Sequence, residues 1–259
     1  MKNFKTHFKN IFFAVSLIFL FSACSKGLKQ NSITIATAAN MQFAIQKLAD
    51  KFSHQTGITC EFIVASSGKL TAQIQEGAPY DVFVAADTRY PKAVYDAGFS
   101  DDQPKIYAYG KLVIWSLDKT LQPSFKTLLN SQIKHIALAN PKTAPYGEAA
   151  INALQKKGLY EVLEKKLVYG ESISQTNQFI VSGAAEIGFT ALSVVKALQT
   201  EKQGNWILVE ESLYAPIEQA AVLINREGQV NEAAKAFYEY IFTEEAQEIL
   251  LEFGYSVDE

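Results

Sequence analysis

The sequence predicts an α/β fold built on mainly parallel sheets. Three observations support this. Short β-branched and apolar runs alternate with segments of helical periodicity. Glycines stand where those helical segments stop. The 259 residues, 48% of them hydrophobic, suffice for one large domain or two ordinary ones with a buried core.

In chain order, residues 33–36 are a short β run. Residues 41–56 are a helix with Phe43, Ala44, Leu48 and Phe52 at helical spacing, and Gly57 ends it. Residues 61–64 are a second strand and 69–75 a helix ended by Gly77. Residues 81–84 are a third strand and 89–97 a helix closed by Gly98. Three βα units in succession imply a parallel sheet with helices on both faces. The texture changes over 107–115, where Tyr107 and Tyr109 precede an apolar stretch ending at Trp115. The tyrosines pack either the crossing between lobes or an ordinary core. A second α/β pattern follows, with strands at 135–139, 166–169, 187–190 and 206–209 and helices at 147–157, 175–182 and 194–199. An apolar strand at 217–224 and helices at 231–242 and 246–253 complete the chain. No long polar linker separates the halves.

Composition excludes several classes. Two cysteines rule out a disulfide scaffold. A net charge of −3 without a basic block argues against nucleic acid. Arginine is confined to Arg89 and Arg226, and histidine to His7, His54 and His135. Neither His54 nor His135 has a partner at metal-ligand spacing.

The N-terminus reads as an address. Lys2, Lys5 and Lys9 precede the apolar run 11–21. That run is too short to span hydrocarbon, which takes roughly 20 helical residues, and it fits a signal-peptide core. Phe21-Ser22-Ala23-Cys24 resembles a bacterial lipobox, in which the cysteine is lipidated and becomes the first mature residue. The plainer alternative is cleavage after Ala23 with a free Cys24. Residues 24–31 would be a tether. Loss of 1–23 removes three of 24 basic residues and none of 27 acidic ones, so the net charge falls from −3 to −6. Cys60, within a strand, then has no intramolecular partner and reads as a buried, inert thiol.

Ligands of open parallel sheets sit beyond the carboxyl ends of strands, where helices begin. Four junctions stand out: Thr37-Ala38-Ala39-Asn40-Met41, Ala65-Ser66-Ser67-Gly68-Lys69, the stretch from Asn140 to Gly147, and Gly170-Glu171-Ser172-Ile173-Ser174. Each offers small or hydroxyl residues at a helix start, where free N–H groups and the positive dipole end point outward. Any one of them alone reads as an ordinary helix cap. Four of them, two in each half, suit a cleft between lobes.

Several blocks resemble the periplasmic molybdate-binding proteins of ABC transporters. They are Ile33-Thr34-Ile35-Ala36-Thr37-Ala38-Ala39-Asn40, the block from Ala65 through Lys69 to Asp87, Asn140-Pro141 with Ala144-Pro145-Tyr146-Gly147, Glu186-Ile187-Gly188-Phe189, Phe237-Tyr238-Glu239-Tyr240-Ile241 and Phe253-Gly254-Tyr255. Together they cover about residues 31–256. The resemblance implies a two-lobed type II periplasmic binding protein fold with the ligand in the interlobe cleft. Lobe I would be 32–108 with 218–259, and lobe II 109–217. The C-terminal helices would return to lobe I. It implies a monomeric solute-binding lipoprotein that captures molybdate or tungstate and delivers it to a membrane permease, held to the membrane by lipid on Cys24. Carried over position by position, the molybdate contacts fall on Asn40 with Ala39 beside it, Ser67, Tyr146 and Ile173. One departure is Ala191, where some members have a tyrosine; Tyr146 would supply that hydroxyl.

The implied ligand makes chemical sense of the composition. Molybdate and tungstate are dianions at neutral pH, so they need donors only, and backbone N–H, hydroxyl and amide groups supply these without a counter-charge. No cofactor and no cation ligand is expected, because the metal arrives as an oxyanion. Glu171 is expected to face away, Lys69 to be a solvated surface group, and Asp81 and Asp87 to act as caps or hinge contacts. Glu244 and Glu245 suit the start of the last helix. The rival readings are another oxyanion such as sulfate or thiosulfate on the same fold, an enzyme on this scaffold, and a sensory or adhesion lipoprotein. No nucleophile–His–Asp set or phosphate loop supports an enzyme.

Overall fold

The computed structural model describes residues 32–198, 204–225 and 228–257. Cys24 and the segments 1–23 and 24–31 lie outside the described residues. The chain forms two five-stranded sheets. The first begins with β1 (Ser32–Ala38), a 3-10 turn (Ala39–Met41), α1 (Gln42–Thr56), β2 (Thr59–Ala65), α2 (Ser67–Gln75), β3 (Val82–Val84), α3 (Arg89–Asp96) and β4 (Lys105–Gly110). The second contains β5 (Leu112–Ser116), α4 (Phe125–Leu128), β6 (Ile136–Ala139), α5 (Pro145–Lys156), α6 (Tyr160–Leu163), β7 (Leu167–Gly170), α7 (Ile173–Val181), β8 (Ile187–Ala191), α8 (Leu192–Ala197) and β9 (Asn205–Leu208). The chain then returns through β10 (Ile217–Leu223), α9 (Glu232–Tyr240) and α10 (Glu244–Glu252).

Strand order is β2-β1-β3-β10-β4 in the first sheet and β7-β6-β8-β5-β9 in the second. In each sheet the first three strands are parallel and the last two alternate in direction. The antiparallel strands arise at the two places where the chain changes sheet. β5 and β10, each the first strand after the chain changes sheet, run against both their neighbours. Lys111 alone separates β4 from β5, and one 3-10 turn (Glu211–Leu213) lies between β9 and β10. The apparent change of texture over 107–115 is therefore a passage from one sheet to the other.

The predicted helices form with small differences. The buried face of α1 is Ala44, Ile45, Leu48, Ala49 and Phe52, while Phe43 is exposed. Gly57 closes the helix at φ 73°, its amide bonded to the Ser53 carbonyl at 2.8 Å. The C-terminal helices pack on the first sheet. Phe52 meets the Phe237 ring edge-on at 5.2 Å and Tyr240 at 5.4 Å, in one cluster with Ile35, Leu48 and Leu250. Residues 244 and 245 open α10 behind Thr243, whose hydroxyl accepts from Ala246 N–H at 3.4 Å. Cys60 is half-buried on β2, and burial pushes its thiol pKa up.

This packing yields a paired test. Phe52→Ala removes a buried ring and should cost about 3–5 kcal/mol in urea unfolding. Phe43→Ala on the exposed face of the same helix should change stability by no more than about 0.5 kcal/mol.

Candidate functional site

The four strand-to-helix junctions meet. Ala38, Ala39 and Asn40 from the first, Ser66 and Ser67 from the second, Ala144, Pro145 and Tyr146 from the third and Ile173 from the fourth line one cavity, with Ala86 from the end of β3. Its free volume is about 10 Å³, room for little more than one water-sized sphere. Asn40, Ser67, Tyr146, Ile173 and Ala39 are all buried. The structure therefore brings the five sequence-predicted residues to one place, two of the junctions from each sheet. None of the lining residues carries a formal charge.

Helix starts in this fold are of two kinds. Ser124, Asn231 and Thr243 cap their helices by accepting from amides in the first turn, whereas α3, α6 and α8 begin without a side-chain cap. At the cavity, Ser66 makes no cap hydrogen bond to α2, and neither Ala144 at α5 nor Ala38 at the 3-10 turn has a side-chain cap. Ser172 does cap α7, through Gln175 N–H at 3.4 Å. The first amides of a helix have no acceptor four residues back; here Gly68 N–H of α2 is taken by the Thr143 carbonyl and Gly147 N–H of α5 by the Ala144 carbonyl, both at 2.9 Å. Ser66 Oγ and the Tyr146 hydroxyl are also buried without a hydrogen-bond partner. Ser67 Oγ accepts from Ala86 N–H at 3.0 Å, so its own hydrogen remains for donation. Both amide hydrogens of Asn40 are taken up inside the protein, by Gln219 Oε1 at 2.7 Å and Tyr255 Oη at 3.0 Å. The donor Asn40 retains is its backbone N–H.

Electrostatics keep the site neutral. Burial pushes the Tyr146 hydroxyl pKa well above its ordinary value, and the phenols of Tyr255, Tyr107 and Tyr214 push the same way. Tyr146 is thus a neutral donor at any physiological pH. Lys69 does not line the cavity; it pairs with Glu171 at 2.9 Å, both exposed. Asp81 Oδ2 accepts from Thr34 N–H at 2.8 Å, and Asp87 Oδ1 from Tyr90 N–H at 3.1 Å, so both act on the backbone. Tyr107, buried, donates to the Ala85 carbonyl at 3.1 Å. Ala191 is buried at the end of β8, paired with Leu112 and away from the cavity lining. Larger cavities of about 260 and 290 Å³ flank Pro216 and Ile217 at the second crossing, but charges of both signs line them: Asp87, Arg89 and Glu148 in one, Lys111 and Glu211 in the other.

Three residues near the site escaped the sequence reading: Gln219, Tyr255 and Ser193. The signal for Gln219 was a polar residue inside the apolar strand 217–224.

A family profile described as bacterial extracellular solute-binding protein matches residues 33–256. The molybdate-binding protein of Rhodobacter capsulatus is 40% identical over 224 residues, 86% of this chain and 87% of that one. A putative ABC transporter substrate-binding lipoprotein of Bacillus subtilis is 27% identical over 261 residues, 96% of this chain and 98% of that one. The solved periplasmic molybdate-binding protein of Azotobacter vinelandii superposes with a TM-score of 0.79 at 32% identity, covering 88% of this chain and all of that one.

The closed cleft can be tested at Gly68. Its amide bonds the Thr143 carbonyl across the cleft at 2.9 Å. A Cβ there would lie 2.9 Å from Tyr90 Oη and 3.1 Å from Thr143 Cα. Gly68→Ala suits the helix, by about 1 kcal/mol, but wedges its start away from the 140–144 turn. The expected result is a larger radius of gyration by solution scattering with unchanged circular dichroism.

Proposed function

We propose that this chain, which belongs to the bacterial extracellular solute-binding protein family and within it to the molybdate-binding proteins, captures molybdate outside the cytoplasm and delivers it to the permease of an ABC transporter. It is a transport protein and not an enzyme. One observation carries the ligand reading: uncapped, buried helix starts from both sheets converge on an uncharged cavity. Such a site offers donors and no counter-charge, which suits an oxyanion that stays fully deprotonated. In this reading Ser67 and Tyr146 give their hydroxyl hydrogens, and Ala39, Asn40 and Ile173 surround the anion with N–H donors. Tungstate, with the same charge and shape, is the second ligand.

The mechanism follows from the geometry. The gap of about 10 Å³ is smaller than a tetrahedral oxyanion and is walled by both lobes. Admission therefore requires the lobes to part about the two crossings, near Lys111 and between Leu208 and Ile217. Closure then brings donors from both lobes onto one anion, and contacts to both favour the closed form. We take the lobes to be 32–108 with 218–259, and 109–217. We further propose that residues 1–23 are a signal peptide, that 24–31 are a tether, and that lipid on Cys24 anchors a monomer to the membrane. The lipobox-like Phe21-Ser22-Ala23-Cys24 supports that anchor.

A thermal-shift panel of molybdate, tungstate, sulfate and phosphate tests the ligand. At a thousandfold excess over Kd the linkage is about 4 kcal/mol, or roughly 8–16 °C for a chain of this size. Molybdate and tungstate should give shifts of that order, and sulfate and phosphate much less. No shift with molybdate overturns the reading.

Ser67→Ala tests the site by calorimetry. Loss of one donor to a buried dianion should cost about 1.5–3 kcal/mol in affinity; the free protein should also melt a few degrees earlier, because the buried Ala86 N–H loses its acceptor.

A further inference from the structure

Gln219 is fully buried in the middle of β10, a strand otherwise apolar from Ala220 to Leu223. The pairing of β10 with β4 slips between Gln219 and Ala220. Such a bulge re-aims a side chain and is common beside binding sites. The re-aimed amide reaches two separate walls of the cavity. Its Oε1 accepts from Asn40 Nδ2 at 2.7 Å. Its Nε2 donates to the Ala86 carbonyl at 3.2 Å and to the Ile217 carbonyl at 3.3 Å.

From there a continuous run of hydrogen bonds crosses the floor of the cavity. The Ala86 N–H donates to Ser67 Oγ at 3.0 Å. The second amide hydrogen of Asn40 goes to Tyr255 Oη at 3.0 Å. Tyr255 Oη and Ser193 Oγ both donate to the Asn40 carbonyl, at 3.0 and 2.8 Å. Tyr146 stands at the same point. A Cβ on Gly110 would collide with its hydroxyl and lie 2.8 Å from Gln219 Nε2. Glycine at 110 leaves room for both side chains.

We propose that Gln219 is the positioning residue of the anion site: by bonding Asn40 on one side and Ala86 on the other, it fixes Ser67 as an obligate donor and aims the Asn40 backbone at the ligand. The inference rests on the oxyanion reading and deepens it. Gln219 touches no ligand. It acts because an amide can accept and donate at once, which neither a carboxylate nor an apolar side chain does. Ionising this position would set a fixed negative charge one bond behind the site, in a medium where charge repulsion is poorly screened. The titratable groups that meet the network are the phenols of Tyr107, Tyr146, Tyr214 and Tyr255, and burial raises the pKa of all four. Between pH 6 and 9 none of them changes charge.

The test is calorimetric titration of molybdate into the full mature protein, wild type, Gln219→Leu and Gln219→Glu, from pH 6 to 9. The wild-type affinity should be flat. Gln219→Leu should bind about 10-fold more weakly or worse at every pH, as expected for loss of buried bonds around a charged ligand. Gln219→Glu should approach wild type at pH 6, where burial keeps the acid protonated and able to donate, and weaken about 100-fold by pH 9. Tyr255→Phe, which leaves an Asn40 hydrogen without its acceptor, should weaken binding several-fold and serves if Gln219→Leu does not fold. Variants that melt earlier but keep wild-type affinity at all pH values overturn the positioning role alone. A wild type that binds none of molybdate, tungstate, sulfate and phosphate overturns the oxyanion reading together with this one.

Discussion

Backbone N–H groups that begin a helix in a place water cannot reach must find an acceptor, and most of this structure follows from how that need is met. At three helices away from the cleft the chain meets it locally, with Ser124, Asn231 and Thr243 folded back onto their own first turns. At three of the four helix starts on the cleft no side chain does so. Ser66 stands in the capping position of α2 and leaves the cap unmade, and α5 begins with Pro145 behind an alanine. Alanines and serines are prominent around these ends, and backbones from both sheets wall one small cavity of about 10 Å³. The apolar packing follows the same geometry. Ala38, Ala39 and Ala86 of the first sheet belong to one cluster with Ala139, Ala144 and Tyr146 of the second.

Neutrality is the second consequence. A charged side chain could satisfy buried amides, but it would be a permanent occupant. The nearby charges are instead matched to one another outside the cavity: Lys69 with Glu171, and Arg89 with Asp87 and Glu148. Exposed pairs of this kind contribute little to stability, about 0–1 kcal/mol each. They leave the field inside the cavity to dipoles. A mature chain with the net charge of −6 expected from its sequence then needs short-range donors to hold a dianion, because its long-range field is unfavourable.

Much of this was legible in the residues. Strand ends followed by small and hydroxyl residues located all four junctions, because that pattern is local. Several helix ends were legible for the same reason, with Gly57 and Gly98 as signals. What depended on distant partners was not. Phe43 and Ile45 both fit a helical stripe, and only packing against α9 and α10 decides which is inside. The direction of the Asn40 amide depends on Gln219, 179 residues later, and Tyr255, 215 residues later. The one antiparallel strand of the second sheet, β5, was hidden because β4 and β5 read as one stretch, divided only at Lys111.

The bonds that span the cleft bear on time as well as on affinity. Gly68 N–H to Thr143, Tyr90 Oη to Lys142, Ser193 Oγ to Asn40 and Ser174 Oγ to Gln42 all join one lobe to the other without involving an anion. An anion behind them leaves only after several are broken together. Its residence time then depends on the opening of the protein, which these bonds and the donors to the anion oppose together. Substitutions at this rim would act on the opening that admission and escape both require. A permease that docks across the rim and competes for those same backbone groups would hasten unloading without touching the cargo.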